Sequence, residues 1–290
     1  MTHTRTQLTE LMERHGITPS RALGQNFVVD PNTVRRIARL AAVGPGDHVV
    51  EIGAGPGSLT LALAETGAKV VAVEIDRHVL PILREVAEPV GVTVVGGDAM
   101  ALDWGTVLAD APRWTLVANL PYNVATPLVL DLLDQVPAIA RMLVMVQKEA
   151  GERLAAGVGH DAYGIPSVKV GYWATAKVVG KVGPDVFLPK PRVDSVLVEI
   201  TRRAEPATGA DADRLFTLVR AGFGQRRKML RRSLHALVDP ADFSVAGLRP
   251  EARAEELSVE DWGRLADASP STPAEPSTPI GPSTPAEPEA

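Results

Sequence analysis

The chain has 290 residues, 45% of them hydrophobic, a formal net charge of −5 and no cysteine. That length and apolar content suffice for one large core with a smaller one beside it and exclude disorder over most of the chain. The missing cysteine excludes a disulfide framework, a thiolate metal site and a cysteine nucleophile. The opening MTHTRTQLTELMERHG has no apolar stretch of signal-peptide length, and no run approaches the ~20 apolar residues of a membrane span. A cytoplasmic location with no membrane partner is expected.

In chain order, the first helical signal is Asp30 before Pro31, an N-cap followed by proline at the first helical position. Val34, Ile37, Ala38 and Ala41 then recur at helical spacing. Short Val/Ile-rich runs follow: HVVEIG (48–53), KVVAVEI (69–75), VTVVGGD (92–98), TLVANL (115–120) and MLVMVQ (142–147). Alternating with helical patterns, they predict an α/β fold, a mostly parallel sheet covered on both faces. Thr126 before Pro127 repeats the N-cap device, with Val129, Leu132, Leu133 and Val136 as the stripe. After about residue 165 the strand-like runs continue, with hairpin-like punctuation in KVGPDVFLPKPRVDSVLVEI, so the sheet is expected to end in antiparallel strands. RRAEPATGAD (202–211) reads as a linker, and 211–268 as helices only. The tail repeats PSTP at 270, 276 and 282 and reads as disordered. The expected organisation is a large domain over 1–203, a small all-α domain over 204–268 and a Pro/Ser/Thr-rich tail over 269–290.

The net charge hides an uneven distribution. RAGFGQRRKMLRR (220–232) carries Arg220, Arg226, Arg227, Lys228, Arg231 and Arg232 without an acid, whereas the tail from Asp267 onward carries acids without a base. A basic face of this kind suits a phosphate backbone, the alternative being a solvated helix face.

The chemistry-bearing residues sit at strand ends. In VVEIGAGPGSLTLALAE, Gly53, Gly55 and Gly57 form a strand, glycine turn and helix, and Glu74 follows Gly53 by 21 residues, a distance at which an acid reaches ribose hydroxyls. A tight turn with a solvated acid is the plainer reading. Of the nucleoside cofactors suited to such a turn, a dinucleotide needs backbone N–H donors for its pyrophosphate, and Pro56 removes one. S-adenosylmethionine has no phosphate, and its sulfonium tolerates the acidic lead-in Glu51, so this cofactor is favoured. Asp98, after the third run, is placed to accept from an adenine amine or to cap the next turn.

Asn119-Leu120-Pro121-Tyr122 ends the fourth run. An adenine exocyclic amine is a poor nucleophile because its lone pair is delocalised into the ring. The Asn119 amide oxygen and the Leu120 carbonyl would accept its two protons, Pro121 would hold Leu120 extended, and Tyr122 would stack on the base. No strong general base is required. The six histidines are scattered without metal-ligand spacing, and no GxSxG occurs.

Together LGQNFVVD (23–30), EIGAGPGSLT (51–60) with VEID (73–76), NLPYNVATPL (119–128) and FLPKPRVDS (187–195) resemble the KsgA/Dim-type and erythromycin-resistance ribosomal RNA adenine methyltransferases, over about residues 17–265. The resemblance implies a Rossmann-like methyltransferase sheet and a cofactor site lined by Asn26 and Val28 with Gly53, Glu74, Asp98 and Asn119. It also implies Phe187 as a second aromatic wall opposite Tyr122; from the residues alone Phe187 reads as core. Val28 departs from the family's usual leucine. AGFGQRRKMLRRSL (221–234) and FLPKPRVDS are closer to the KsgA/Dim branch. That branch implies dimethylation of two adjacent adenines in the 3′-terminal hairpin loop of small-subunit ribosomal RNA, on an immature 30S particle, by a monomer. Arg226, Arg227, Lys228, Arg231 and Arg232 would then bind RNA. The runners-up are the resistance-type activity on 23S RNA and an assembly factor whose catalysis is incidental.

Overall fold

The computed structural model describes residues 2–19 and 24–270. A seven-stranded sheet has the order β4-β3-β2-β5-β6-β9-β7, where β2 is His48–Ile52, β3 Lys69–Glu74, β4 Thr93–Gly96, β5 Trp114–Asn119, β6 Ile139–Gln147, β7 Ala174–Val182 and β9 Ser195–Arg202. A separate two-stranded ladder joins β1 (Phe27–Val28) to β8 (Phe187–Leu188). The pairs from β4 through β6 are parallel, and β9 is antiparallel to both β6 and β7. This is the expected mixed α/β sheet with antiparallel strands at one end.

The strand order reverses between β2 and β5: the chain runs outward through β3 and β4, then returns to the other side of β2. Ligand crevices of open α/β sheets form at such a point, outside the carboxyl ends of the strands. The strands are apolar on both sides because both are buried. Val50, Ile52, Leu116, Ala118 and Val144 pack on one face with the helix Ala125–Gln135. Val49, Val117, Leu143 and Met145 pack on the other with the helix Pro31–Ala41, capped by Asp30 as expected.

The structure departs from expectation in four places. Thr126 is not an N-cap: Pro121 accepts from the N–H groups of Val124 and Ala125, so the helix springs directly from the turn after β5 and Thr126 lies inside its first turn. Residues Ile165–Trp173 form a helix rather than a strand. Pro166 stands in its first turn, and Ser167 Oγ accepts from the Gly164 N–H in place of a helical partner. The basic segment is not one helix: Arg220 ends up in the helix Ala212–Gly224, Arg231 and Arg232 in the short helix Leu230–Ser233, and the residues between them in neither. Arg226, Arg227 and Lys228 therefore lie on an exposed turn. Finally, Ser269 is buried, and its carbonyl accepts from Arg214 Nε at 2.6 Å, so the folded part extends past 268. Residues 271–290 of the expected tail lie outside the described residues.

The helical domain shares its core with the preceding chain. Tyr163, Val168 and Tyr172 pack with Leu215, Phe216, Val219 and Trp262. The expected linker is tied down: Arg203 N–H donates to the Trp173 carbonyl, Ala207 N–H to the Tyr172 carbonyl, and Arg202 reaches the carbonyls of Leu132, Leu133, Val136 and Ile139. At the other end an N-terminal helix, Arg5–Arg14, closed by a Thr4–Gln7 capping box, buries Leu8, Leu11 and Met12 against Phe27, Val29, Val79 and Ile82. No helix among the described residues is long and apolar enough to cross a membrane.

Candidate active site

At the reversal point, three contiguous hollows share Gly53. One is lined by Ile52, Val73, Ile75, Gly97, Asp98, Met100 and Val124. The next is lined by Gly24–Phe27, Glu74 and Asn119–Tyr122. The third is lined by Val28, Glu51, Ala54, Pro56, Ser58 and Asn119. Every residue expected at the cofactor, Asn26, Val28, Gly53, Glu74, Asp98 and Asn119, therefore borders one crevice. Leu23 of the first motif lies outside the described residues.

The glycine turn has φ of +72° at Gly53, +57° at Gly55 and +89° at Gly57, the left-handed region. Gly55 is further constrained because a Cβ there would lie 2.9 Å from the Phe27 ring. Glu74 shapes the turn as well as facing the crevice: its carboxylate accepts from Gly55 N–H at 2.7 Å and from Asp76 N–H at 2.9 Å. Burial pushes the Glu74 carboxyl up against these stabilising bonds. Each oxygen keeps a lone pair for a ribose hydroxyl. Asp98 accepts from Met100 N–H at 2.9 Å, capping the turn that follows, and also borders the crevice.

The third hollow tests the cofactor. Ser58 is 6% exposed and its hydroxyl has no hydrogen-bond partner, which is costly unless a polar ligand group completes it. Beside it Glu51 is 1% exposed and accepts from Thr60 Oγ1 at 2.5 Å. Burial, reinforced by the negative charge of Glu74, pushes its carboxyl up to about 8, so near neutral pH Glu51 is largely uncharged. A polar, non-phosphate end such as that of an amino acid fits this hollow, and Pro56 beside it offers no N–H to a pyrophosphate. The donor set fits S-adenosylmethionine.

Asn119 closes β5 with its side chain fixed. Its Nδ2 donates to the Asn26 carbonyl at 2.9 Å, a bond only the NH₂ end can make, which leaves Oδ1 as the free acceptor. Leu120 as a whole is 1% exposed, lines the hollow with Asn119 and Tyr122, and donates its N–H to the Met145 carbonyl. No donor among the described residues engages the Leu120 carbonyl. Tyr122 borders the same hollow, its hydroxyl 3.0 Å from Ser195 Oγ. Phe187, expected as a second wall opposite Tyr122, is 1% exposed, pairs with Val28 across the β1–β8 ladder and packs in one cluster with Leu197, Val182 and Val34. The ring that does border the crevice with Tyr122 is Phe27, which sequence reading passed over although it lies inside the first motif.

The basic turn is also less free than its sequence implies. Arg226 pairs with Glu255 at 2.5 Å and donates to the Asp161 carbonyl, and Arg231 pairs with Glu251 at 3.3 Å. Lys228, Arg231 and Arg232 line an open concavity with Gln225 and His235. Arg227, Lys228 and Arg232 have no ion-pair partner among the described residues.

Comparison with known proteins agrees with this geometry. The model of the ribosomal RNA adenine dimethylase family matches residues 18–269. The ribosomal RNA small subunit methyltransferase A of Kineococcus radiotolerans is 47% identical over 90% of this chain and 89% of its own length, and that of Leifsonia xyli is 47% identical over 90% and 96%. Among solved structures, the 23S rRNA methyltransferase ErmE superposes with a TM-score of 0.66 at 27% identity, covering 84% of this chain and 99% of its own. A dimethyladenosine transferase from Plasmodium falciparum gives 0.67 at 24% identity, covering 81% and 94%. With the family model spanning nearly all of the described residues, this chain belongs to the ribosomal RNA adenine dimethylases, S-adenosylmethionine-dependent methyltransferases of Rossmann-like fold.

Proposed function

We infer that this chain transfers methyl groups from S-adenosylmethionine to the exocyclic amine of adenine in small-subunit ribosomal RNA. We propose as its targets two adjacent adenines of the 3′-terminal hairpin loop, in an immature 30S particle, with the chain acting as a cytoplasmic monomer. The observation that carries the chemistry is the oriented Asn119 amide. With Nδ2 committed to Asn26, Oδ1 can only accept, and with the neighbouring Leu120 carbonyl it accepts hydrogen bonds from the two amine N–H groups and concentrates the N6 lone pair. N6 gains the methyl group, leaving a neutral thioether in place of the sulfonium, and the methylated ammonium loses one proton to water. Tyr122 stacks on the extruded base. When bound, S-adenosylmethionine supplies an electrophilic methyl group. Asn26, Val28, Gly53, Glu74, Asp98 and Asn119 would hold it, with Ser58 at its polar end.

The unpaired cations Arg227, Lys228 and Arg232, with Arg226 and Arg231, attract RNA phosphates without reading sequence. The small subunit is favoured over the large because identity to small-subunit relatives is 47%, against 27% to the 23S enzyme. The test is to incubate the protein with labelled S-adenosylmethionine and either immature 30S particles or 23S RNA, then map the label. Two adjacent dimethyladenines in the small-subunit loop are expected; label only in 23S RNA would overturn the assignment.

A further inference from the structure

Ser195 is the first residue of β9 and is 0% exposed. Gln147 of β6 is paired with it on one side and Val182 of β7 on the other, so its backbone is held from both. A hydroxyl buried in a sheet is costly unless bonded, and among the described residues the only partner of this one is Tyr122 Oη, at 3.0 Å. The converse also holds. The turn carrying Tyr122 is anchored through its neighbours, by Leu120 N–H on the Met145 carbonyl and by Val124 and Ala125 N–H on the Pro121 carbonyl. Tyr122 itself makes no other hydrogen bond among the described residues.

We propose that Ser195 is a positioning residue for methyl transfer, holding the Tyr122 ring by its hydroxyl so that the face of the ring stays turned to the crevice. The ring is attached to a half-exposed turn through two rotatable bonds, and stacking on a base constrains only its plane. A hydrogen bond at the far end of the ring, from a residue 73 positions away on a strand paired on both sides, removes the remaining freedom before the base arrives. Burial pushes the Tyr122 phenol up, so the hydroxyl keeps its proton throughout the working range and the tether does not titrate. This inference rests on the reading that Tyr122 stacks on the target adenine.

The test is single-turnover methyl transfer to small ribosomal subunits unmethylated in the 3′-terminal loop, with saturating cofactor and varied subunit concentration, for Ser195→Ala, Tyr122→Phe, the double variant and Tyr122→Ala. Loss of one neutral hydrogen bond should slow transfer at saturation by about three- to tenfold in Ser195→Ala. Tyr122→Phe should match it, and the double variant should be no slower than either single one, because all three lack the same bond. The half-saturating subunit concentration and calorimetric affinity for S-adenosylhomocysteine should stay at wild-type values. Multiplying rather than coinciding effects, or a wild-type rate in both single variants while Tyr122→Ala is slow, would overturn the tether and leave stacking intact. A wild-type rate in Tyr122→Ala would instead overturn the stacking reading itself. Should Ser195→Ala fail to fold, Tyr122→Phe removes the same bond from the exposed side, and a wild-type rate there overturns the tether.

Discussion

The turn after β5 and the turn after Gly224 both present functional groups from short irregular segments, yet they are built on opposite terms. Around Asn119 the donors are committed, which aims the remaining acceptors: Asn119 Nδ2 bonds to Asn26, the Leu120 N–H to Met145 and the tyrosine hydroxyl to Ser195. Around Arg226 the side chains are exposed, some paired and some not, and no bond fixes where Arg227, Lys228 or Arg232 point. Rate acceleration depends on preorganised partners, whereas phosphate attraction tolerates loose ones. Damage to the first turn should therefore appear in turnover, and damage to the second in affinity and its salt dependence.

The largest expected effect is at Asn119. Asn119→Ala should lower the rate at saturation by roughly 100-fold or more, the scale of losing one preorganised electrostatic partner, with RNA affinity unchanged. Near-normal single-turnover rates would erase the contrast between the turns. On the other side, replacing Arg227, Lys228 and Arg232 by Gln should leave that rate alone and weaken binding to every RNA. It should flatten the log–log salt dependence by about 2 to 3 units, at ~0.7–0.9 per phosphate contact. Arg226→Gln should contribute less, because Glu255 already occupies its guanidinium; titrations at several salt concentrations separate the two.

The smallest effect concerns stability. Glu51 has its carboxyl raised to about 8 in the fold from an ordinary 4.5. Below about 4.5 it is protonated both folded and unfolded, and nothing is lost. As pH climbs toward 8 the unfolded chain ionises while the folded one resists, so stability falls across that interval and levels off above it. Glu51→Gln, which keeps an acceptor for Thr60, should flatten the pH dependence of the melting temperature between about pH 5 and 8; an unchanged slope would assign it to other groups.

Much of the large domain was legible in the chain because strands buried on both faces read as continuous Val/Ile runs, and because Asp30-Pro31 caps its helix by local chemistry. The crevice was legible for a related reason: Glu74 and Asn119 end strands, Gly53 and Asp98 come just after them, and a parallel sheet gathers strand ends. What escaped depends on partners distant in sequence. Arg226 meets Glu255 across 29 positions and Tyr122 meets Ser195 across 73, and neither spacing has a local signature. Thr126 misled because Thr-Pro is a genuine cap signal that the preceding turn had already made unnecessary. The pairing of Phe187 with Val28 across the short ladder joins positions 159 residues apart, and it too has no local signature. The helix Ile165–Trp173 was hidden because its apolar residues face the sheet domain on one side and the helical domain on the other, which blurs the period.

That shared helix and the four carbonyls gripped by Arg202 have a consequence for substrate choice. Because 203–211 is fastened rather than loose, the basic turn and Asn119 are the two jaws of a caliper with a locked span. On the function proposed above, an RNA qualifies only when its backbone reaches one jaw while its loop bases reach the other. The enzyme can thus select a target by length and shape, with no side chain reading the bases between.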